Sequence, residues 1–369
     1  MTKKLLYLLV AICLACAESM EAQETTIAPQ NQNGNTVNVG VMLPLHDVDG
    51  DGRRMTEYYR GILLAVKELK AEGMNVNVRA WNVPIDADPR TTLLQNGTTD
   101  CNIIFSPLYT KQVKTIGDFC RAYNIKMVIP FSINGNEVDK NPNIYQVYSS
   151  PDEMYATSMQ RIAEDFAGFH PVLIDCNDTT SRKGAFTFGL RAILEKKGVQ
   201  YNITNLRSSD EMFAKAFSLN QPNLVILNTG RSPELRAAMD KLDALTRANT
   251  GVRVSLFGYT EWLMYARIYK DRWGKYDTYI PTNFFYNEQS ARVQQFEKRY
   301  RWAFHQDMMN ALPHFAATGY DHAMYFIGGK SQWMQTPLKF QKTPGGGYRN
   351  KAYMLIHYKN DGGIDAIQY

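Results

Sequence analysis

The stretch CNIIFSPLYTKQVKTIGDFCRAYNIKMVIP, residues 101–130, contains one complete strand–helix–strand unit. CNIIF is a short apolar run, residues 110–123 predict a helix, and KMVIP is a second apolar run ending on proline. Such runs, apolar nearly throughout, suit strands of a parallel sheet covered by helices on both faces.

The same alternation extends in both directions. Upstream, VNVGVML (37–43) leads to a helix with Tyr59, Ile62, Leu63, Val66 and Leu69 on one face. Gly73 stops that helix, and NVNVRAW follows as a strand. Downstream, NIYQVY closes the first series, and a second begins with PVLIDC, VQYNI, NLVIL and VRVSLFG. Ser150-Pro151-Asp152-Glu153 is a capping box with proline at the first helical position. Ser208 and Glu211 repeat the spacing, and Ser232-Pro233-Glu234 marks a third helix start. At the end, AYMLIHY and GIDAIQY flank KNDGG as a hairpin. The expected architecture is α/β, with two doubly wound parallel-sheet lobes facing each other across an interlobe cleft.

A chain of 369 residues is long enough for two domains with substantial cores. Its net charge of +5 is spread along the chain, so there is no basic stripe of the kind nucleic acid demands. MTKK followed by LLYLLVAICLA has the n-region and h-region of a signal peptide, with Ala15-Cys16-Ala17 at the small-x-small cleavage spacing. Cleavage near Ala17 predicts an exported, periplasmic protein. The alternative is acylation of Cys16, although Cys13 and Leu14 fit a lipobox poorly. Beyond the signal, Cys101, Cys120 and Cys176 have no zinc-site spacing and read as small buried hydrophobes.

Motifs for chemistry are sparse. HDVDGDG (46–52) begins like a calcium loop, with Asp47, Asp49 and Asp51 alternating before Gly52, but the twelfth position is Tyr58 where a bidentate Glu is needed. GGKS (328–331) lacks the earlier glycine of a phosphate loop and reads as the end of a helix. His314 and His322 have no third metal ligand nearby. No hydrolase or dinucleotide motif is present, so no catalytic residue, metal or cofactor is expected.

The succession of these segments resembles the type 1 periplasmic binding proteins, in particular the branched-chain amino-acid receptors of ABC transporters. VGVMLPL with YYRGILLAVKELKAEG, then NIIFSPLYTKQVKTIGDFCRAYNIKMVIPFS, PNLVILNTGRSPELRAAM, VSLFGYTEW and FEKRYRWAF…ALPHFAATGYDHAMYF, keep that family's order and spacing. The resemblance covers about residues 37–330. The residues before it read as a signal peptide at 1–17 and a polar tether at 18–36, and the resemblance implies one lobe from 37–148 with 282–333 and another from 149–281 with 334–369. It also makes the HDVDGDGRR loop a lip of the cleft.

The resemblance further implies a small amino-acid-like ligand, gripped by one lobe and covered by the other, with a permease or sensor reading the closure. Thr110 matches the family's hydroxyl position, and a helix opening at Tyr109-Thr110 offers free N–H groups to a carboxylate. Ser106 lies nearby at the strand end, and Ser132 and Asn134 lie in a second cleft loop. Glu261 in GYTEW roughly matches an acid that meets the ligand's ammonium, while Arg231 and Ser232 stand where the second lobe contributes. Arg231 is equally compatible with an anionic ligand. Two departures stand out: Ile133 where a threonine is common, and Lys183 where an aromatic usually precedes glycine. A scaffold role on the same fold, as in activators of peptidoglycan synthases, is the alternative function. A cell-wall hydrolase is a third.

Overall fold

The computed structural model describes residues 36–131 and 134–369. The expected signal peptide, the tether up to residue 35, and the expectation for Cys16 lie outside the described residues, as do Ser132 and Ile133.

Among the described residues, fourteen strands form two sheets of seven. The first contains β1 (Val37–Leu43), β2 (Val76–Asn82), β3 (Ile103–Phe105), β4 (Lys126–Ile129) and β5 (Ile144–Gln146). The second contains β6 (His170–Asp175), β7 (Asn202–Asn205), β8 (Asn223–Leu227), β9 (Val254–Phe257) and β10 (Thr278–Thr282). Four later strands, β11 (Phe340–Lys342), β12 (Tyr348–Asn350), β13 (Met354–Tyr358) and β14 (Ile364–Gln368), complete the two edges. The orders are β11-β12-β5-β4-β3-β1-β2 and β14-β13-β10-β9-β8-β6-β7. Pairing is parallel through the middle of each sheet and antiparallel at β11/β12, β10/β13 and β13/β14. NLVIL of β8 is buried at every position, as a central strand covered on both faces must be.

The expected partition needs one correction. Residues 334–369 do not all join the second lobe, because β11 and β12 pair onto β5 of the first sheet. The glycines at 345–347 permit this. A Cβ at Gly345 would lie 1.9 Å from the Asp139 carbonyl oxygen, and one at Gly347 would lie 2.6 Å from that of Val138. Only a bare backbone approaches so closely. Two local readings also shift. VQYNI pairs over Asn202–Asn205, and the cap expected at Ser208 falls on Ser209, which accepts from the Met212 amide at 3.3 Å. The capping box at Ser150 forms as read.

Among the described residues the chain passes between the sheets three times, at residues 147–150, 283–290 and 351–353. Polar contacts brace these crossings. The Ser149 hydroxyl donates to the Asn350 carbonyl at 3.1 Å, Lys351 pairs with Glu153 at 3.1 Å, and the Phe285 amide donates to Gln335 at 2.8 Å. Two lobes joined by short crossovers are a hinge in structural form.

Within the first lobe, the helix Gly50–Ala71 packs along the helix Phe315–Phe326. Asp49 starts the former by accepting from the Gly52 amide at 2.7 Å. Two glycines set the helix separation, since a Cβ on Gly61 would meet the Ala316 carbonyl and one on Gly319 the Tyr58 carbonyl. His322 is buried here, sharing a 2.9 Å hydrogen bond with the Tyr58 hydroxyl, and burial pushes its pKa down to about 3. It is a neutral core residue.

Candidate functional site

In doubly wound sheets ligands meet the carboxyl ends of the strands, where loops leave a crevice. In the first lobe those ends are the loops after β1, β3 and β4. The aspartates of the HDVDGDG loop diverge: Asp49 caps the helix, while Asp51 accepts from Arg54 and from the Tyr109 hydroxyl, each at 3.2 Å. The loop is thereby pinned to the start of the helix Thr110–Ala122. Burial first, then the charge of Asp51, pushes the Tyr109 phenol up to about 12.

Tyr109 is the N-cap of that helix, but its side chain makes no cap bond, because it reaches Asp51 instead. Thr110, at the first helical position, is exposed. With Asn134, Lys114, Glu137 and Gln146 it lines a hollow of about 200 Å³. The first-lobe expectations thus converge in part: Thr110 and Asn134 share one hollow. Ser106 does not join them. It is fully buried and its hydroxyl donates to the Met42 carbonyl at 2.8 Å, tying the end of β3 to β1. Expected as a ligand contact, it is a brace between strands.

In the second lobe, the loop 176–183 after β6 organises the site. Asp178 accepts from the Thr229 hydroxyl at 2.7 Å and the Thr180 hydroxyl at 2.7 Å, and Arg231 reaches Thr180 at 2.9 Å and Asp178 at 3.3 Å. Hydrogen bonds from the two threonines, with Arg231 adding to them, hold the Asp178 carboxyl down at about 2. Arg231 keeps about half its side chain exposed while pairing with Asp178 and, at 3.7 Å, with Glu234. Ser232, at the first position of the helix Ser232–Ala248, shares a 2.9 Å hydrogen bond with the Tyr269 hydroxyl.

Glu261 is the largest departure from expectation. Its carboxylate is already engaged by the Lys183 ammonium at 2.6 Å. That ammonium also donates to the Tyr155 hydroxyl and stands 4.7 Å from the Tyr155 ring centroid and 4.5 Å from that of Tyr259. Glu261 is therefore not free to meet a ligand's ammonium while this pair stands. Tyr259 is itself fixed, fully buried with its hydroxyl on the Leu227 carbonyl at 2.5 Å. Of this group Glu261 and Lys183 carried a sequence signal, the first as a match to the family pattern and the second as a departure from it. Tyr155, Tyr259 and Asp178 carried none.

Gly230 makes room for the pair, since a Cβ there would lie 2.2 Å from Glu261 Oε1. Gly230→Ala is expected to push that flexible carboxylate away from Lys183 while changing stability by less than about 1 kcal/mol, because a side-chain end can swing aside. Acetic anhydride labelling read by mass spectrometry checks this: Lys183 should be protected in the wild type and reactive in the variant. Equal protection would show that the pair survives.

No family model matches the chain, and no curated protein matches it in sequence. Solved structures do match in fold. One is described as a branched-chain amino acid ABC transporter from Rhodospirillum rubrum, with a TM-score of 0.61, 14% identity, and coverage of 90% of this chain and 100% of that one. Another is a branched-chain amino acid ABC transporter periplasmic ligand-binding protein from Burkholderia xenovorans, with a TM-score of 0.51, 13% identity, and coverage of 90% and 94%. Two doubly wound lobes joined by three crossovers, together with these likenesses, define the fold as that of the type 1 periplasmic binding proteins.

Proposed function

We propose that the chain is an exported, non-enzymatic solute-binding protein that holds a small carboxylate-bearing molecule between its lobes. The observation that carries this reading is the helix start at Thr110, where the Tyr109 side chain makes no cap bond and the exposed Thr110 lines a hollow at the strand ends. An anion is the natural occupant of such a helix terminus. Ser132, which lies outside the described residues, is part of the proposal. Arg231 and Ser232 of the other lobe stay in the proposal as half-exposed polar contacts, with Arg231 shared between Asp178 and Glu234, and the two structural neighbours are described as ABC-transport proteins for branched-chain amino acids. The amino-acid-like ligand expected from the sequence is narrowed here to its carboxylate half, because Glu261 is engaged. Closure of the lobes over solute gains second-lobe contacts only when ligand is present, which gives a permease or sensor something to read. Among the described residues no helix is long and apolar enough to cross a membrane.

A thermal-shift screen of protein stripped of co-purified ligand tests the reading. A carboxylate at about a hundred times its dissociation constant should stabilise the native state by roughly 2.7 kcal/mol. Thr110→Val should weaken that ligand about tenfold, the worth of one lost hydrogen bond to a charged group. Unchanged affinity in the variant would remove Thr110 from the site.

The scaffold reading draws support from one feature: the Lys183–Glu261 pair completes the second-lobe site without any ligand. Stable capture of a wall synthase by both wild type and Thr110→Val, with no solute binding, would favour it.

A further inference from the structure

Glu261, Tyr155 and Tyr259 together form a cage for a cation, with one carboxylate and two aromatic faces around a single point. Both ring centroids lie within the roughly 6 Å at which an ammonium is attracted by a ring quadrupole. In this chain the point is occupied by the Lys183 Nζ, whose side chain is only 12% exposed. We infer that Lys183 is a built-in occupant of this ammonium cage and acts as a specificity-determining residue: the cleft admits carboxylates that carry no amine and rejects α-amino acids. The statement about ligand class rests on the solute-binding reading above, whereas the statement about the cage does not.

The competition favours the tethered cation. An intramolecular group acts at an effective concentration of millimolar or more, set by its short link. A free amino acid would have to displace it, re-expose the lysine, and recover only the contacts that the lysine already makes. A carboxylate without an amine faces no such exchange. It meets the helix start at Thr110 while the cage stays closed. Lys183 is also held in place from its own loop, its amide donating to the Ser181 hydroxyl at 3.1 Å while Ser181 donates to the Asn228 carbonyl at 2.8 Å. The lysine thus enters the cage from a braced loop.

Chemical rescue tests the cage. Lys183→Ala removes the atoms from Cγ to Nζ, and n-propylammonium supplies the same set as a free molecule. Titration calorimetry should show n-propylammonium binding to Lys183→Ala at least about tenfold more tightly than to wild type. The neutral n-propanol should not bind, and adding Glu261→Gln should abolish the gain. Lys183→Met, which fills the cage without charge, should bind no ammonium and guards against misreading a loosened fold. In a second arm, wild type is titrated with amino acids and with their amine-free counterparts, such as leucine and 4-methylpentanoate.

Failure of n-propylammonium to bind a folded Lys183→Ala would overturn the cage, whatever the second arm shows. Wild-type binding of an α-amino acid that Glu261→Gln weakens would overturn the exclusion, because it would mean that the lysine yields. Rescue in the first arm with no wild-type binding of any carboxylate would leave the cage standing and defeat the solute-binding reading alone.

Discussion

Gly61→Ala is expected to destabilise the protein by roughly 3 kcal/mol or more, although alanine is the better helix former. The propensity gain is about 1 kcal/mol. Against it, the new Cβ would lie 1.9 Å from the Ala316 carbonyl oxygen, and the reciprocal position is as tight, since a Cβ on Gly319 would lie 2.0 Å from the Tyr58 carbonyl oxygen. Both obstacles are backbone in the middle of packed helices, so neither can swing aside. The helices must separate and open the core around Tyr58, Ile62 and Tyr320. Overpacking typically costs 1–3 kcal/mol, and more where the backbone has to move. Urea denaturation of Gly61→Ala and Gly319→Ala measures the effect. Gly168→Ala, where a Cβ meets nothing within 4 Å, should change little. Equal midpoints for all three would mean that these helices are not locked by their glycines.

Asp321→Ala is expected to cost roughly 3–5 kcal/mol. The wild-type carboxylate is buried and accepts from the amides of Met334 and Gln335 at 2.7 Å and of Thr336 at 2.8 Å. These amides carry the chain from the helix Phe315–Phe326 towards β11, and removing the acceptor leaves three buried donors without partners. The pH dependence has a defined sign. Burial raises the Asp321 pKa from 3.8 to about 7, against the opposing pull of the three amides. The native state therefore holds a proton that the unfolded chain has released between those values. This contribution to stability is fully present below about pH 4 and is lost as pH rises through about 7. Asp321→Asn should be flatter across that window. A wild-type unfolding free energy that rises from pH 4 to 7 while the Asn variant stays level would contradict the assignment.

The sequence displayed the two lobes because their strands are local and uniform. NLVIL and KMVI are apolar runs whose partners are supplied by the same repeating unit. The strands β11 and β12 were illegible for the opposite reason. Each has three residues, each is partly exposed, and what seats them is the approach of Gly345 and Gly347 to the backbone near residue 138, two hundred residues away in sequence. Hydrophobic periodicity carries no trace of such a contact.

The site divides along the same line. The helix start at Thr110 was legible because it is a local signal, whereas Ser106 misled because a polar residue at a strand end looks available. Only the fold shows that its hydroxyl is turned to Met42. Likewise, Lys183 and Glu261 each stood out alone, but their pairing joins the loop after β6 to the turn after β9. Reading the two as one cage required the sheet order.

The most direct measurement of the central claim is small-angle X-ray scattering of stripped protein with two millimolar pools, one of amine-free organic carboxylates and one of amino acids. The account predicts that the carboxylate pool shrinks the radius of gyration as the lobes close, and that the amino acids leave it unchanged. Compaction by the amino acids, or by neither pool, would contradict it.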